Sequence, residues 1–392
     1  MIIALRRISS REVHLVRLSS PRGRRHLTSR WVRHRHRHDV ALRLTPVRVL
    51  VAMSGGVDSS VAAALTAEAG HAVVGATLKL WGGPSDSGCC SVADVEDARR
   101  VAGQLGLDHH VFNFTDAFES SVVAPYVADH AAGRTPNPCI ECNRRIKFGL
   151  LLDRCLRLGF DALATGHHAR VVAGAGGPRL RRGADRAKDQ SYVLSMLGRD
   201  ELARVVLPVG DLTKAEVRAR AARLGLRTAD KPDSQDVCFV HSGAGRRGFL
   251  AERLELHPAD LVDAATGAVV GSVPAAELVT VGQRRGLGAA PDGRRRFALS
   301  VDVPGRRITV GGAQQAVAAR VPVGPARWAG AALAVGGRAR AQTTAHGAAA
   351  PCTWDGDAVV FDEPQPLVAA GQTVALYDAA DPDVVVGAAV AG

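Results

Sequence analysis

The sequence predicts an α/β domain built on a parallel sheet, followed by two small β-rich modules. Three observations predict it. Apolar β-branched runs alternate with helix-patterned runs from residue 47 to about 245, the signature of a parallel sheet with helices on both faces. A Gly/Ser-rich turn closes the first strand and opens the first helix. Beyond about residue 245, short β-branched runs separated by Gly, Pro and Asp take over, as small all-β modules require. The expected divisions are an extension 1–46, a nucleotide-binding catalytic domain 47–245, a central β module 246–316 and a C-terminal β-barrel 317–392.

The elements follow in order. Val47 to Met53 reads as the first strand and is followed by Ser54-Gly55-Gly56-Val57-Asp58-Ser59-Ser60. An alanine-rich helix then stops at Gly70. His71 to Leu80 is a strand, Ala93 to Leu105 a helix stopped by Gly106, and Val111 to Phe114 a strand. A helix over 116–131 leads into Thr135-Pro136-Asn137-Pro138-Cys139, and a helix over 143–158 ends at Gly159. Phe160 to Thr165 is a strand ending in Gly166-His167-His168, and 173–177 is a hairpin tip. Later strands are expected at Ala268–Val273, Glu277–Val281, Phe297–Val303 and Ile308–Val310.

The chain has 392 residues and a formal net charge of +12. Its 46% hydrophobic content excludes a wholly disordered chain. No apolar run reaches the ~18–20 residues of a membrane span, so no membrane partner is expected. Seven cysteines, an odd number in a long chain, argue against a secreted disulfide scaffold and for a reducing cytoplasm. The charge is concentrated: residues 1–46 hold twelve arginines against Glu12 and Asp39, so the other 346 residues carry only +2. A basic nucleic-acid arm or a targeting peptide fits that extension less well than a disordered tail, or upstream GC-rich DNA read through ahead of a start near Val47.

The glycine pair in Ser54–Ser60 lets the backbone approach an anion, and the helix start supplies N–H donors and a positive dipole end. The hydroxyls of Ser54, Ser59 and Ser60 are expected to add donors. No Gly-Lys-Ser/Thr follows, so this is not a Walker A loop. Cys139-Ile140-Glu141-Cys142 lacks a second Cys pair for a four-cysteine zinc site. A helix starting after Cys142, with Arg144, Arg145 and Lys147 nearby, would make that thiol a better nucleophile. Cys238 is flanked by Asp233, Ser234, Gln235 and Asp236, which argues against an ordinary core cysteine.

The heptad resembles the pyrophosphate loop of the PP-loop ATPases, which cleave ATP to AMP and pyrophosphate. Six segments together resemble the bacterial tRNA-specific 2-thiouridylase family: Ser54–Ser60, Thr135–Phe148, Ala164–His167, Lys188–Tyr192, Lys231–Phe239 and Gly282–Gly288. They occur in the family's order over 47–392. The resemblance implies that ATP with Mg²⁺ binds Ala52, Met53, Ser54, Gly55, Gly56, Val57, Asp58 and Ser59, with Leu78 and Gly166 at the adenosine. It implies tRNA contacts at Asn137, Pro138, Cys139, His167, Lys188, Asp189, Gln190 and Gln372. It implies adenylation of C2 of wobble uridine 34 in tRNAs for lysine, glutamate and glutamine. It further implies that Cys238 carries a persulfide supplied by a sulfur-relay protein or cysteine desulfurase, and that Cys142 is the second nucleophile that releases the sulfur through a Cys142–Cys238 disulfide. A cytoplasmic monomer is expected.

Two departures from the family stand out. Cys139 occupies a position where several members have Asp, and Thr344-Ala345 replaces an Arg-led tRNA contact. Cys139, Cys142 and Cys238 could alternatively hold a [4Fe–4S] cluster with one open iron. A PP-loop amidating or ligating synthetase, a non-catalytic RNA-binding protein and a metal-binding scaffold are the competing classes.

Overall fold

The computed structural model describes residues 46–81, 92–233, 237–240, 245–290 and 292–392. The extension, apart from Pro46, lies outside them, as do residues 234–236 of the Cys238 segment.

The apolar run after Pro46 forms β1 (Arg48–Ala52), the middle of a five-stranded sheet. With β2 (Ala72–Lys79), β3 (Asp108–Asn113), β4 (Ala162–Ala164) and β7 (Val205–Val206) it gives the order β3-β2-β1-β4-β7, all parallel. Val49 and Val51 face one apolar cluster, which α1 (Val57–Glu68), α2 (Val92–Gln104) and the later helix Lys214–Arg223 complete. Leu50 faces the other, under α3 (residues 115–131) and α4 (residues 138–157). Alternation along β1 therefore puts helices on both faces. The strand order reverses between β1 and β4. In open α/β sheets, ligands bind at the carboxyl ends of the strands at such a point.

The expected helix over 143–158 starts five residues earlier. Asn137 is its N-cap, its side chain accepting from the amides of Cys139 (3.2 Å) and Ile140 (3.3 Å), and Pro138 takes the first helical position. Asn followed by Pro is a strong start signal. Cys142 therefore lies in the second turn, where wider π-type turns begin (Cys142–Leu151), and Cys139 is the cysteine at the helix end.

The predicted hairpin is β5 (Ala169–Gly174) and β6 (Gly177–Arg182). Downstream helices are α5 (Arg199–Leu202), α6 (Lys214–Arg223) and α7 (Gly245–Ala251). A mixed sheet follows, ordered β10-β11-β8-β9, from β8 (Ala259–Asp263), β9 (Val269–Val273), β10 (Phe297–Asp302) and β11 (Arg307–Gly311). The strand expected at Glu277–Val281 is instead a short 3₁₀ turn, Ala276–Leu278. Glu277 is the reason: its buried carboxylate accepts from the amide and Nδ1 of His257 (2.8 Å to the ring), which a strand would not offer.

The last sheet is antiparallel, ordered β12-β16-β15-β14-β17-β18-β13. Its strands are β12 (Val317–Pro322), β13 (Arg327–Trp328), β14 (Arg338–Gln342), β15 (Ala350–Trp354), β16 (Ala358–Pro366), β17 (Thr373–Asp378) and β18 (Val385–Val390). β12 pairs with β16, and the chain just after it pairs with the β18 end through Gly324 N to Val390 O (2.9 Å) and Gly392 N to Pro322 O (3.0 Å). One bent strand thus joins both edges, closing the sheet as a barrel does. In β17, Val374 and Leu376 fill the barrel, while Ala375 and Tyr377 pack outward against Tyr192, Leu194 and Leu180. Tyr192 Oη donates to Thr373 O (2.8 Å).

Where α3 meets the central sheet, buried His130 donates through Nδ1 to Glu277 O (3.0 Å) and packs edge-on to Tyr126. Burial, opposed by that hydrogen bond and aided by Arg246, pushes His130 down to about 4. The unfolded chain takes up this proton near pH 6.5, but the folded chain does not until about pH 4. His130 thus favours folding above pH 6.5 and loses that contribution as pH falls toward 4. The thermal midpoint of His130→Gln is expected to drop less than wild type between pH 7 and 4.5. Parallel curves would mean His130 does not titrate this way.

Candidate active site

The loop after β1 is shaped by its neighbours. Gly55 has φ +71°, and a Cβ there would lie 2.3 Å from the Asp94 carbonyl oxygen of α2. Only glycine tolerates both the left-handed backbone and that approach. Gly56 caps α1 with no side-chain hydrogen bond, so no side chain occupies the N–H donors of the first turn. The serines divide their work. Ser59 and Ser60 are buried and donate to Gly56 O (3.1 and 2.8 Å), while Ser54 is exposed. Of the three hydroxyls expected to serve an anion, two instead brace the turn.

Gly166, just past β4, closes the other side: a Cβ there would meet the Ser59 amide at 2.5 Å. Its strand end thus packs flush on the first turn of α1. Ala52 and Met53 end β1, with Met53 bonded to Ala76 O and to the Thr77 hydroxyl. Leu78 is buried near the end of β2. The phosphate loop, Gly166 and Leu78 therefore share the carboxyl edge of the sheet at its switch point. Exposed Ser54 is a hard oxygen donor beside the cradle, and Asp58 Oδ2, contacted by Lys214 but not by His168, is the carboxylate oxygen with a lone pair to spare; the two suit Mg²⁺ held mainly by phosphates.

Asp58 leads away from the loop into an ionic chain. Lys214 Nζ lies 2.8 and 2.7 Å from its two oxygens, and buried His168 donates from Nε2 at 3.0 Å. Lys214 also pairs with Asp233 (2.7 Å), which Lys188 (2.8 Å) and Arg218 (2.9 Å) complete. Burial pushes Asp233 up, but Lys188 and Lys214 outweigh it and bring it to about 2. Burial of Asp58 is likewise outweighed by His168 and Lys214, so its pKa is lowered. Lys231 anchors the same segment to α2 through Asp94 (2.7 Å) and Asp97 (2.9 Å). The stretch leading to Cys238 is thus tied to the loop, to α2 and to α6.

The thiols border one apolar cluster. Cys142 is buried in it and Cys238 packs against it. Phe239 meets Phe118 (5.7 Å) and Tyr126 (5.3 Å) of α3 and also Trp81 (6.3 Å), and Cys142 of α4 is buried in the same cluster. Of the three cations expected beside Cys142, two, Arg144 (2.6 Å) and Arg145 (2.7 Å), pair with Glu141. Cys139 is exposed. Among the described residues no three His, Cys, Asp or Glu side chains form a metal-holding group, so Cys139, Cys142 and Cys238 do not fit a cluster as they stand.

The remaining residues expected at tRNA have varied roles. The His167 ring packs against Phe148, its Nδ1 2.7 Å from Thr165 Oγ1, and burial with Lys147 nearby keeps it neutral. Gln190 locks His168: it accepts that residue's amide (2.8 Å) and donates to its carbonyl (2.9 Å). Asp189 is turned inward to Arg182 (2.8 Å), the Gly183 amide and Ser191. Gln372 reaches from the barrel to Thr135 O, and Pro138 starts α4. Thr344 and Ala345 offer their carbonyls to the Gln342 amide. Sequence reasoning missed Lys214 and the role of His168. One signal was available: the chain has only five lysines against 45 arginines.

A sequence profile described as the tRNA methyl transferase HUP domain matches residues 47–242. The chain is 49% identical over 358 residues to a protein of Salinispora tropica named tRNA-specific 2-thiouridylase MnmA, covering 88% of this chain and 98% of that one. It is 47% identical over 348 residues to the protein of the same name from Streptomyces avermitilis, covering 85% and 92%. Among solved structures, the U34-tRNA thiolase NcsA of Methanococcus maripaludis with its [4Fe-4S] cluster is 17% identical at a TM-score of 0.36, covering 55% of this chain and 65% of that one. That likeness is too slight to bear on the chemistry.

With Asp233 at about 2 against an ordinary value near 3.8, its contribution is present above pH 4 and lost as pH falls from 4 to 2. Asp233→Asn is expected to flatten the acid-side fall of thermal midpoint in that window and to lower the midpoint at pH 7. An unchanged acid limb would break the ionic chain as described.

Proposed function

The chain belongs to the tRNA-specific 2-thiouridylase family, and from that premise we propose how its residues convert a tRNA uridine into 2-thiouridine. The carrying observation is the ionic chain Asp58–Lys214–Asp233, which joins the nucleotide loop to the segment bearing Cys238.

ATP enters with its phosphates at the first turn of α1, in the cradle made by Gly55, Gly56 and Ser54. Ser54 and Asp58 would hold Mg²⁺, which would supply charge neutralisation for the departing pyrophosphate. The C2 oxygen of uridine 34, in tRNAs for lysine, glutamate and glutamine, attacks the α-phosphorus and pyrophosphate leaves. The adenylated oxygen is then a good leaving group. A sulfur-relay protein or cysteine desulfurase has left a persulfide on Cys238. Its terminal sulfur attacks C2 and AMP departs. Cys142 attacks Cys238 Sγ, the S–S bond to the base breaks, and the bond pair stays on the sulfur now at C2. Two cysteine thiols are oxidised to a disulfide as the transferred sulfur is reduced, and a cellular thiol resets them. His167, kept neutral by burial, packs beside the thiol helix through Phe148 and lines that side of the site without adding a charge. These steps take place in the cytoplasm, where the tRNA is.

The test is mass spectrometry of nucleosides from tRNA incubated with ATP, Mg²⁺ and a sulfide source, with aerobic and anaerobic protein. Both preparations are expected to make 2-thiouridine, and Cys142→Ala and Cys238→Ala to make none. Activity confined to anaerobic, iron-containing protein would assign the cysteines to a cluster. Pyrophosphate release without thiouridine would remove the thiolation reading. Lys214→Met is expected to slow pyrophosphate release by ~10²-fold, the scale of misplacing reacting groups when a positioning contact is lost.

A further inference from the structure

The central module carries a basic cavity that the thiolation steps leave unused. Arg284, Arg285 and Arg295 line it with Gly286 and Gly288, and its volume is about 440 Å³. We infer that it binds the phosphodiester backbone of the substrate tRNA beside the target nucleoside; this rests on the thiouridylase reading.

Ion pairing divides the arginines of this chain. Arg181, Arg320 and Arg338 each hold an aspartate. Among the described residues no carboxylate lies within ion-pair distance of Arg284, Arg285 or Arg295, and all three are exposed. Three like charges held together without a counter-ion repel one another unless an anion joins them, and a phosphate suits a planar guanidinium.

The cavity is also built. Leu287 is fully buried in the central core and pins the loop from beneath. Gln283 clamps it: its Oε1 accepts from the Thr280 amide (3.2 Å) and its Nε2 donates to Arg285 O (2.8 Å). Ala289 pairs with Arg295 across an antiparallel bridge, so both sides of the cavity are fixed relative to each other. Arg296 lies buried beneath, donating to Val270 O. Bound phosphate would therefore cost little loop ordering.

Its position selects the anion. The residue on which Gln283 closes, Thr280, meets the Thr135 hydroxyl at 3.3 Å. Thr135 opens the segment running to Cys139 and Cys142. Its amide donates to Ala370 O (2.7 Å), and Gln372 donates to its carbonyl, so the barrel grips it from the other side. The arginine loop is thus one step of contacts from the strip leading to the thiols. Among the described residues no hydrogen bond or ion pair directly joins the arginine loop to the Ser54–Ser60 loop, which makes RNA backbone a better occupant than released pyrophosphate.

The test uses the full chain and unmodified tRNA. Binding is measured by filter retention or fluorescence anisotropy between 50 and 300 mM salt, for wild type and Arg284→Gln/Arg285→Gln/Arg295→Gln. Each phosphate contact contributes ~0.7–0.9 to the slope of log affinity against log salt. The triple variant is expected to lose about 2 from that slope and to bind about tenfold or more weakly at low salt. Its ATP affinity is expected to be unchanged, and its thermal midpoint unchanged or slightly higher because the like-charge repulsion is gone. The triple lysine variant is expected to keep most of the slope. An unchanged slope in the neutral triple, with wild type binding tRNA, overturns the inference. So does loss of inorganic pyrophosphate binding, measured by calorimetry, with an unchanged tRNA slope. If the neutral triple unfolds, the three single glutamine variants decide, each losing ~0.7–0.9 or not. Wild-type protein that binds no tRNA would instead overturn the thiouridylase reading, and this inference with it.

Discussion

One ammonium group organises this molecule. Lys214 Nζ lies within 2.8 Å of both Asp58 oxygens and 2.7 Å of Asp233. Asp58 belongs to the glycine turn that opens α1, and Asp233 to the stretch that leads to Cys238. Three charged groups in a largely desolvated space interact far more strongly than an exposed pair. Remove the cation and two carboxylates face each other, with His168 as the nearest donor left to Asp58. The loop and the thiol segment would then lose their shared anchor together. The position of the loop and that of the Cys238 segment are thus linked by one side chain.

A second convergence is mechanical. Thr135-Pro136 is held by the barrel through Ala370 and Gln372 and by the central module through Thr280. A Cβ at Gly371 would meet the Pro136 nitrogen and the Thr135 carbonyl carbon at 3.3 Å, so the barrel backbone lies directly on this segment. The two β-rich modules therefore do more than add area for a large substrate. They fix the entry to α4, on which Cys139 and Cys142 ride.

Much of this was legible in the sequence, and the parts that were not share a cause. Local signals carried the strands, the loop and the hairpin, because alternation and turn chemistry act over a few residues. The Asn137-Pro138 cap was equally local, yet the pull of the two cysteines drew the helix start to residue 143. Glu277–Val281 misled because β-branched composition outweighed one buried carboxylate whose partner, His257, lies twenty residues away. The ionic chain spans 156 residues from Asp58 to Lys214, and no period or motif marks a pairing of that kind.

Composition did hold a trace of it. The chain uses arginine almost everywhere a cation is wanted, yet Lys147, Lys188, Lys214 and Lys231 all lie at the site. The guanidinium is planar, forked and suited to bidentate pairing, whereas the ammonium is a compact point charge. Lys214 must reach three carboxylate oxygens on two residues from one atom. A planar fork with its donors in one plane cannot meet oxygens arranged around a point without moving α6 or the loop. Lys231 has the same task between Asp94 and Asp97. Arginine at Lys214 would therefore preserve the charge and still separate the loop from Asp233. Geometry, more than sign, is what this position requires.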